Sequence, residues 1–520
     1  MKNGILFHLA IIIILGTIVY ANSFGNQFIW DDEFLIQKNI YIRDWKYLPR
    51  IFASNTRSGF LEQDNFYRPI HLSLYLVIYQ LSGLHTFGYH LANLVLHLAN
   101  SCLIYCLTLI LFRKRAMSLI TAALFTVHPI HTEAITYING TADPLGLIFT
   151  LGSLIMFIKS LRHGSWTRVA LISGSVLMFA MALLSKETTV VLPLIVSLIL
   201  LYSNRYGVVQ LVKKTWHIQL PYYVTAAAYA GLRLTVLNFL NILNFYGTEN
   251  IYTENLHFRL YTFARALLTY YRLLFLPTGL HHERSLPVFI SPFSIWIISS
   301  ALILIAVICL AIWSYRRDRI IFFGILWFYI TLIPVSGIIP ANAIILEHWL
   351  YFPSVGFFLV VSYIITRLPK RQMRIAYLIL IMALVLFSVQ TIRRNTEWHD
   401  PIVFYRSTLR YSPDSARIHN NLGMAYADKG MYSQAIAEYS IATSLSDVYP
   451  QTHNNLANAY LSLGQIDNAL QEYSIAVRMN PDFLVGHAGL AKIYQMKGMY
   501  TDYLRELEKI EEIKAKYLTD

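Results

Sequence analysis

Cysteine and charge are both in short supply in this 520-residue chain. The three cysteines, Cys102, Cys106 and Cys309, all lie inside apolar runs, which excludes a disulfide framework or a cysteine-rich zinc site and leaves the redox compartment open. Only 14% of the residues are charged, against about 25% in an ordinary soluble domain, and that excludes a plain soluble globule. Acidic residues are scarcer than basic ones, 29 against 42, for a net charge of +13. The excess does not point to nucleic acid: no nucleic-acid motif accompanies it, and Lys and Arg gather in short clusters between apolar runs, where they orient membrane helices. Apolar surface is what abounds. With 56% hydrophobic residues and a mean hydropathy of +0.47, the chain holds more than single cores can bury, so much of it is expected to face lipid.

The first apolar run, Ile5 to Ala21, ends without a small-x-small cleavage site and reads as a transmembrane helix, not a removable signal. Further runs suited to crossing a bilayer are Phe87 to Phe112, Ala116 to Tyr137, Pro144 to Ile158, Val169 to Leu184, Thr188 to Leu201, His217 to Leu237, Pro292 to Trp313, Ile320 to Gly337, Leu350 to Ile365 and Ile375 to Thr391. Basic clusters such as Arg113-Lys114-Arg115 and Arg316-Arg317 are assigned to the cytoplasm, which gives about eleven spans and places the C-terminal tail on the opposite face. Phe258 to Leu276 would break that parity if it crossed, so it is expected to be re-entrant or interfacial, carrying Arg259, Arg265 and Arg272. Pro69 to Leu81 is likewise read as an interfacial helix.

After Thr391 the composition turns polar and alanine-rich, and the chain repeats itself with a period of 34. Leu422, Leu456 and Leu490 match, as do Tyr426, Tyr460 and Tyr494, then Gly430, Gly464 and Gly498; Ala435 pairs with Ala469 and Tyr439 with Tyr473. This is the tetratricopeptide-repeat pattern, two short helices per unit stacked on their neighbours. Copies fall at about 416–449, 450–483 and 484–517, behind an incomplete leading unit around Ile402 to Leu409. The chain thus divides into a membrane domain, 1–394, with a first outer loop at 22–85, and a repeat domain, 395–520. The fold class is all-α, a polytopic helical bundle followed by an α-solenoid.

Chemistry concentrates at the predicted outer junctions. Trp30-Asp31-Asp32-Glu33 sets three carboxylates just beyond the first span, able to take a proton, grip a divalent cation or orient a sugar hydroxyl, unless they form only a solvated acidic turn. Arg68, His128, His131, Glu133, Asp143, Lys186, Glu187, Glu347 and His348 cluster at the other outer-facing junctions, which suggests a wet cavity opening to that side. His128, His131 and Glu133 lack zinc-protease spacing, with Pro129 breaking the helical register. Arg265 and Arg272 share a helix face suited to a phosphate or diphosphate, or else snorkel toward lipid headgroups. In the repeats, His419, His453 and His487 recur at one position and Asn421 and Asn455 two residues later, a ladder able to hold an extended peptide backbone or simply to satisfy helix packing. Asp32 is the expected general base for an acceptor hydroxyl, and Arg265, Arg272 or Lys186 the cations that stabilise a leaving phosphate. No cofactor is fixed by the residues themselves; if a metal takes part, the carboxylates favour Mg or Mn.

These residues also carry a resemblance. Trp30-Asp31-Asp32, Tyr67-Arg68-Pro69, Gly88-Tyr89-His90, His128-Pro129-Ile130-His131-Thr132-Glu133, Ala142-Asp143, Ser185-Lys186-Glu187, the run from Leu350 to Phe357 and Trp398 ahead of the repeats resemble the transmembrane and tetratricopeptide-repeat family of protein O-mannosyltransferases and its bacterial relatives. The resemblance covers nearly the whole chain. It implies a GT-C type glycosyltransferase that moves a sugar from a polyprenyl-phosphate carrier to a hydroxyl of a polypeptide acceptor on the extracytoplasmic side. The acidic pair of the first outer loop, Asp31 and Asp32, inherits the active-site expectation, and the repeats that of recruiting the acceptor. The alternatives are the same chemistry on a lipid or glycan, and a non-enzymatic membrane-anchored repeat scaffold for envelope assembly. The expected setting is a bacterial inner membrane with the repeats in the periplasm, or an endoplasmic reticulum with the repeats in the lumen.

Overall fold

Residues 2–60, 64–203, 208–239, 251–284, 286–340, 343–446 and 448–518 are described by a computed structural model. Every regular element among them is helical. The chain divides into two compact units, Met1–His399 and Asp400–Asp520.

In the first unit the apolar runs become helices because nothing else satisfies backbone polar groups away from water. Among the described residues six are long and apolar enough to cross a membrane: Gly4–Gly25, Thr86–Phe112, Ile138–Ser160, Trp166–Leu183, Ile295–Arg317 and Lys370–Thr396. Shorter apolar helices span Arg115–Val127, Glu187–Ser203, Arg319–Val335 and Ser354–Arg367. Ile295–Arg317 and Lys370–Thr396 leave most of their side chains uncovered, an exposure of apolar surface that only lipid makes tolerable. Since lipid is as apolar as leucine, these helices are held by close packing and hydrogen bonds. The Gly324 and Gly356 backbones meet, a Cβ on Gly356 falling 2.4 Å from the Gly324 carbonyl. Ser153 and Ser175 exchange hydroxyl bonds across two helices, and Tyr222 donates to Ser175 at 2.6 Å.

One expectation changes. Ala116 to Tyr137 is not one helix: Arg115–Val127 ends there, Pro129–His131 makes a 3-10 turn, and Thr132–Ile135 a single α-turn. Pro129 has no N–H to extend the helix, and the His128 ring accepts the Ile130 N–H at 3.2 Å and caps the turn. His217 to Leu237 belongs to a longer helix, Val208–Leu234, which is not among the six. Phe258 to Leu276 forms a continuous 20-residue helix, Leu256–Phe275, with Arg259 buried and donating to the carbonyls of Gly337, Tyr252 and Thr253.

The second unit begins with Pro401–Leu409, followed by paired helices Ala416–Asp428 with Tyr432–Leu445, Pro450–Ser462 with Ile466–Met479, and Leu484–Met496 with Tyr500–Leu518. The recurring glycines have one cause. Gly430, Gly464 and Gly498 sit at φ of +72°, +73° and +72° just past the first helix of each pair, where a Cβ would be strained. Ala435 and Ala469 are fully buried, with Tyr439 and Tyr473 packed one turn on.

Candidate active site

Trp30 is one of two non-glycine residues at positive φ among those described, +59°, a strained conformation that persists only where surroundings impose it. It turns the two following carboxylates into different environments. Asp32 is 1% exposed; one oxygen accepts the Ile29 N–H and the other the Asn139 N–H, each at 2.9 Å. Burial, aided by the neighbouring Asp31, pushes the Asp32 carboxyl well above the usual range, against those two amides. Asp31 is 30% exposed on its side chain and pairs with Arg57 at 3.0 Å. Its backbone N–H donates to the Tyr137 hydroxyl at 3.1 Å. Asp31 therefore has an open carboxylate and Asp32 ties the loop to residue 139. Arg57 leads on to Asp64, 3.9 Å away. Glu33 pairs with Lys38 at the turn's outer edge.

A second group forms around Glu133, fully buried on the turn after Pro129. One carboxylate oxygen receives Nδ1 of His282 at 2.9 Å and Nδ1 of His348 at 3.0 Å; the other receives the His348 backbone N–H at 3.1 Å. Burial alone would raise this carboxyl, but His348 and His282 outweigh it and hold it well below its ordinary value. The His282 ring meets Trp30 edge-on at 5.0 Å between centroids, which joins this group to the first loop. Behind it, buried Glu347 takes Arg284 at 2.5 Å, the His281 N–H at 2.7 Å and Arg394 at 3.5 Å.

A third group is ionic. Arg68 grips Glu187 through Nε at 2.9 Å and a terminal nitrogen at 2.5 Å, a bidentate geometry that fixes the guanidinium plane. Lys186 and Asp143, both buried, pair at 3.0 Å.

Other expected residues lie elsewhere or act differently. His128 donates or accepts only within the protein, at Leu274 and Ile130, and His131 bonds the Phe125 carbonyl and the Ser354 hydroxyl; both are fully buried. They hold the turn that carries Glu133. Arg265 lies over the Trp296 ring at 4.7 Å and bonds Thr269 at 2.8 Å, and Arg272 is exposed on the same helix; among the described residues neither pairs with the carboxylates of the site. The repeat histidines bond within their own units, and His487 also lines a pocket with Arg505, Glu506 and Lys509. His419, His453 and His487 turn inward and bond Glu438, Glu472 and Glu506, each at 2.6 Å, tying the two helices of one pair. A histidine set between a glutamate and a proline carbonyl, as His419 and His487 are, is a packing device. Asn421 and Asn455 remain half-buried, linked through Asn420 at 3.2 and 3.3 Å. Among the described residues no three His, Cys, Asp or Glu converge to hold a metal ion.

Sequence reasoning missed Arg57, Tyr137, His282, Arg284 and Arg394. Arg57 and Tyr137 stand in no motif. His281-His282-Glu283-Arg284 did leave a signal, four polar residues together in a connection between apolar helices.

Comparison with known proteins adds the relatives. Residues 69–230 match the family described as dolichyl-phosphate-mannose-protein mannosyltransferase, and residues 423–464 and 450–483 match tetratricopeptide repeats. "Protein O-mannosyl-transferase F38B6.6" of Caenorhabditis elegans is 27% identical over 85% of this chain and 63% of its own length. "Protein O-mannosyl-transferase TMTC4" of Homo sapiens is 26% identical over 81% of this chain and 64% of its own. The chain thus spans less than two thirds of the length of these curated relatives. A crystal structure of ArnT from Cupriavidus metallidurans bound to undecaprenyl phosphate overlaps 91% of this chain and 80% of its own at 13% identity and a TM-score of 0.42. By its sequence matches and its repeats, the chain is similar to the protein O-mannosyl-transferases.

Proposed function

We propose that the chain is a membrane glycosyltransferase that moves a sugar, mannose by its relatives, from a polyprenyl-phosphate carrier to a hydroxyl of a polypeptide on the extracytoplasmic face. The observation that carries this reading is Asp31: a partly exposed carboxylate on a strained turn, beside the Arg57 guanidinium and next to the buried Asp32. An alcohol is a poor nucleophile until its proton is taken, and Asp31 accepts that proton as the oxygen bonds to the anomeric carbon. The bond from that carbon to the phosphate breaks, and the charge gathering on the polyprenyl phosphate is met by Arg57 or Arg68, whose guanidinium groups suit phosphate oxygens. Asp32 positions the loop through its two amide bonds. The basic clusters between apolar helices support an inner placement for the opposite end of the bundle, with the site and the repeats outside. Asn421 and Asn455, not the histidines, are the residues proposed to hold the acceptor backbone.

The test is transfer by the full chain in proteoliposomes, given synthetic polyprenyl-phosphate mannose and serine- or threonine-containing peptides. Mannosylated peptide in the wild type and none in Asp31→Asn is the expected result. Sugar appearing only on lipid or glycan would move the acceptor class, and no transfer to any acceptor would leave a repeat scaffold.

A further inference from the structure

The Glu133 group holds more order than a structural brace needs. Two imidazoles present Nδ1 to the same carboxylate oxygen, and the backbone of one of them also bonds the other oxygen. An ionised carboxylate only accepts, so each Nδ1 carries hydrogen, and in His348 Nε2 is the ring nitrogen turned to a ligand. A carboxylate buried to 1% fixes both the tautomer and the ring plane of His348, whose side chain is 18% exposed. His282, at 12%, stands edge-on to Trp30, the residue before Asp31. Tyr137, whose hydroxyl receives the Asp31 N–H, stacks on Trp398 at 5.3 Å, and Trp398 meets His282 at 5.8 Å. Tyr137 and Trp398 are buried and back His282, which leaves the partly exposed Trp30 ring beside a preset imidazole; an aromatic ring and a fixed hydrogen-bonding group are what a sugar requires, a C–H patch to cover and a hydroxyl to read.

We propose that His348, braced by Glu133 and flanked by the Trp30–His282 pair, hydrogen-bonds a hydroxyl of the transferred sugar through Nε2 and so helps set which sugar is used, an inference that rests on the glycosyl-transfer reading of this site. The role is specificity, distinct from the proton transfer assigned to Asp31. His348→Asn isolates it, because the asparagine amide N–H takes the place of Nδ1–H toward Glu133 while nothing takes the place of Nε2.

The experiment is binding to the full chain in nanodiscs, with short-chain prenyl-phosphate mannose and its single-deoxy analogues, in wild type and His348→Asn. Removing one particular hydroxyl is expected to weaken wild-type binding about five- to tenfold, and to make no difference in His348→Asn. Equal losses in both proteins, or no sensitivity to any hydroxyl in the wild type, would overturn the inference while leaving the transfer reading in place. Failure of prenyl-phosphate mannose to bind at all would overturn the transfer reading and this inference with it. Should His348→Asn not fold, diethyl pyrocarbonate labelling of wild-type His348, read by peptide mass spectrometry, answers the same question. Prenyl-phosphate mannose should protect it and the analogue lacking the recognised hydroxyl should not; equal labelling with every analogue would overturn the inference.

Discussion

Substituting the two adjacent aspartates separately should give opposite kinds of damage. Asp31→Asn preserves shape and removes charge. Its partner Arg57 is 31% exposed and Asp31 30%, so the ion pair contributes about 0–1 kcal/mol and the variant should fold almost as well as the wild type. Transfer should nevertheless fall by about 10² or more, the usual value of a general base. In Asp32→Asn one amide nitrogen must face either the Ile29 or the Asn139 N–H, each now 2.9 Å from a carboxylate oxygen. A buried donor left without an acceptor costs about 1–3 kcal/mol, and the loop that aims Asp31 loses one of its two ties. Asp32→Asn should therefore melt at lower temperature and lose transfer in proportion to its disorder. The assay pairs mannosyl transfer in proteoliposomes with thermal unfolding followed by tryptophan fluorescence. If Asp31→Asn kept transfer within a few-fold while Asp32→Asn lost it at unchanged stability, Asp32 would be the base and the division of roles drawn from their burial would be wrong.

Glu133, held below its ordinary value of 4.5, contributes stability that is fully present above that pH and lost as pH falls through its lower folded-state value. Melting temperature against pH should show that acid-side loss in the wild type and a shallower one in Glu133→Gln. In the repeats, His453→Leu strands Glu472 and should cost about 1–3 kcal/mol by denaturant unfolding. Asn421→Ala with Asn455→Ala should stay within about 0.5 kcal/mol of wild type yet raise the KM for peptide, and an unchanged KM would remove the peptide-holding role. Gly356→Ala puts a methyl 2.4 Å from the Gly324 carbonyl and 2.9 Å from the Phe328 nitrogen; it should lower stability by about 1–3 kcal/mol in a detergent-titration melt.

The repeats were legible almost to the residue, since a period of 34 is carried by residues with strict local demands: a glycine at positive φ, an alanine with no room, a tyrosine against it. The meaning of the recurring histidine was not legible. Periodicity says that a position does the same thing in each copy, but not what it touches; the glutamate 19 residues on, bonded by His419, His453 and His487, appears only in the fold. Likewise Pro129 announced a break, and the expected span from Ala116 to Tyr137 overran it because the residues beyond, Ala134 and Ile135, are as apolar as those before.

Helical class, apolar runs, repeat period and the acidic character of the first loop are properties of short stretches, written in composition and spacing, and sequence alone determined them. Only tertiary structure separated Asp31 from Asp32, joined Glu133 to His282 and His348, sent Arg265 to Trp296, and paired Arg68 with Glu187. Those partners lie far apart in the chain, up to 215 residues for Glu133 and the His348 amide. Burial and partnership decide the chemistry of a charged side chain, and both are set by whatever the fold brings alongside it.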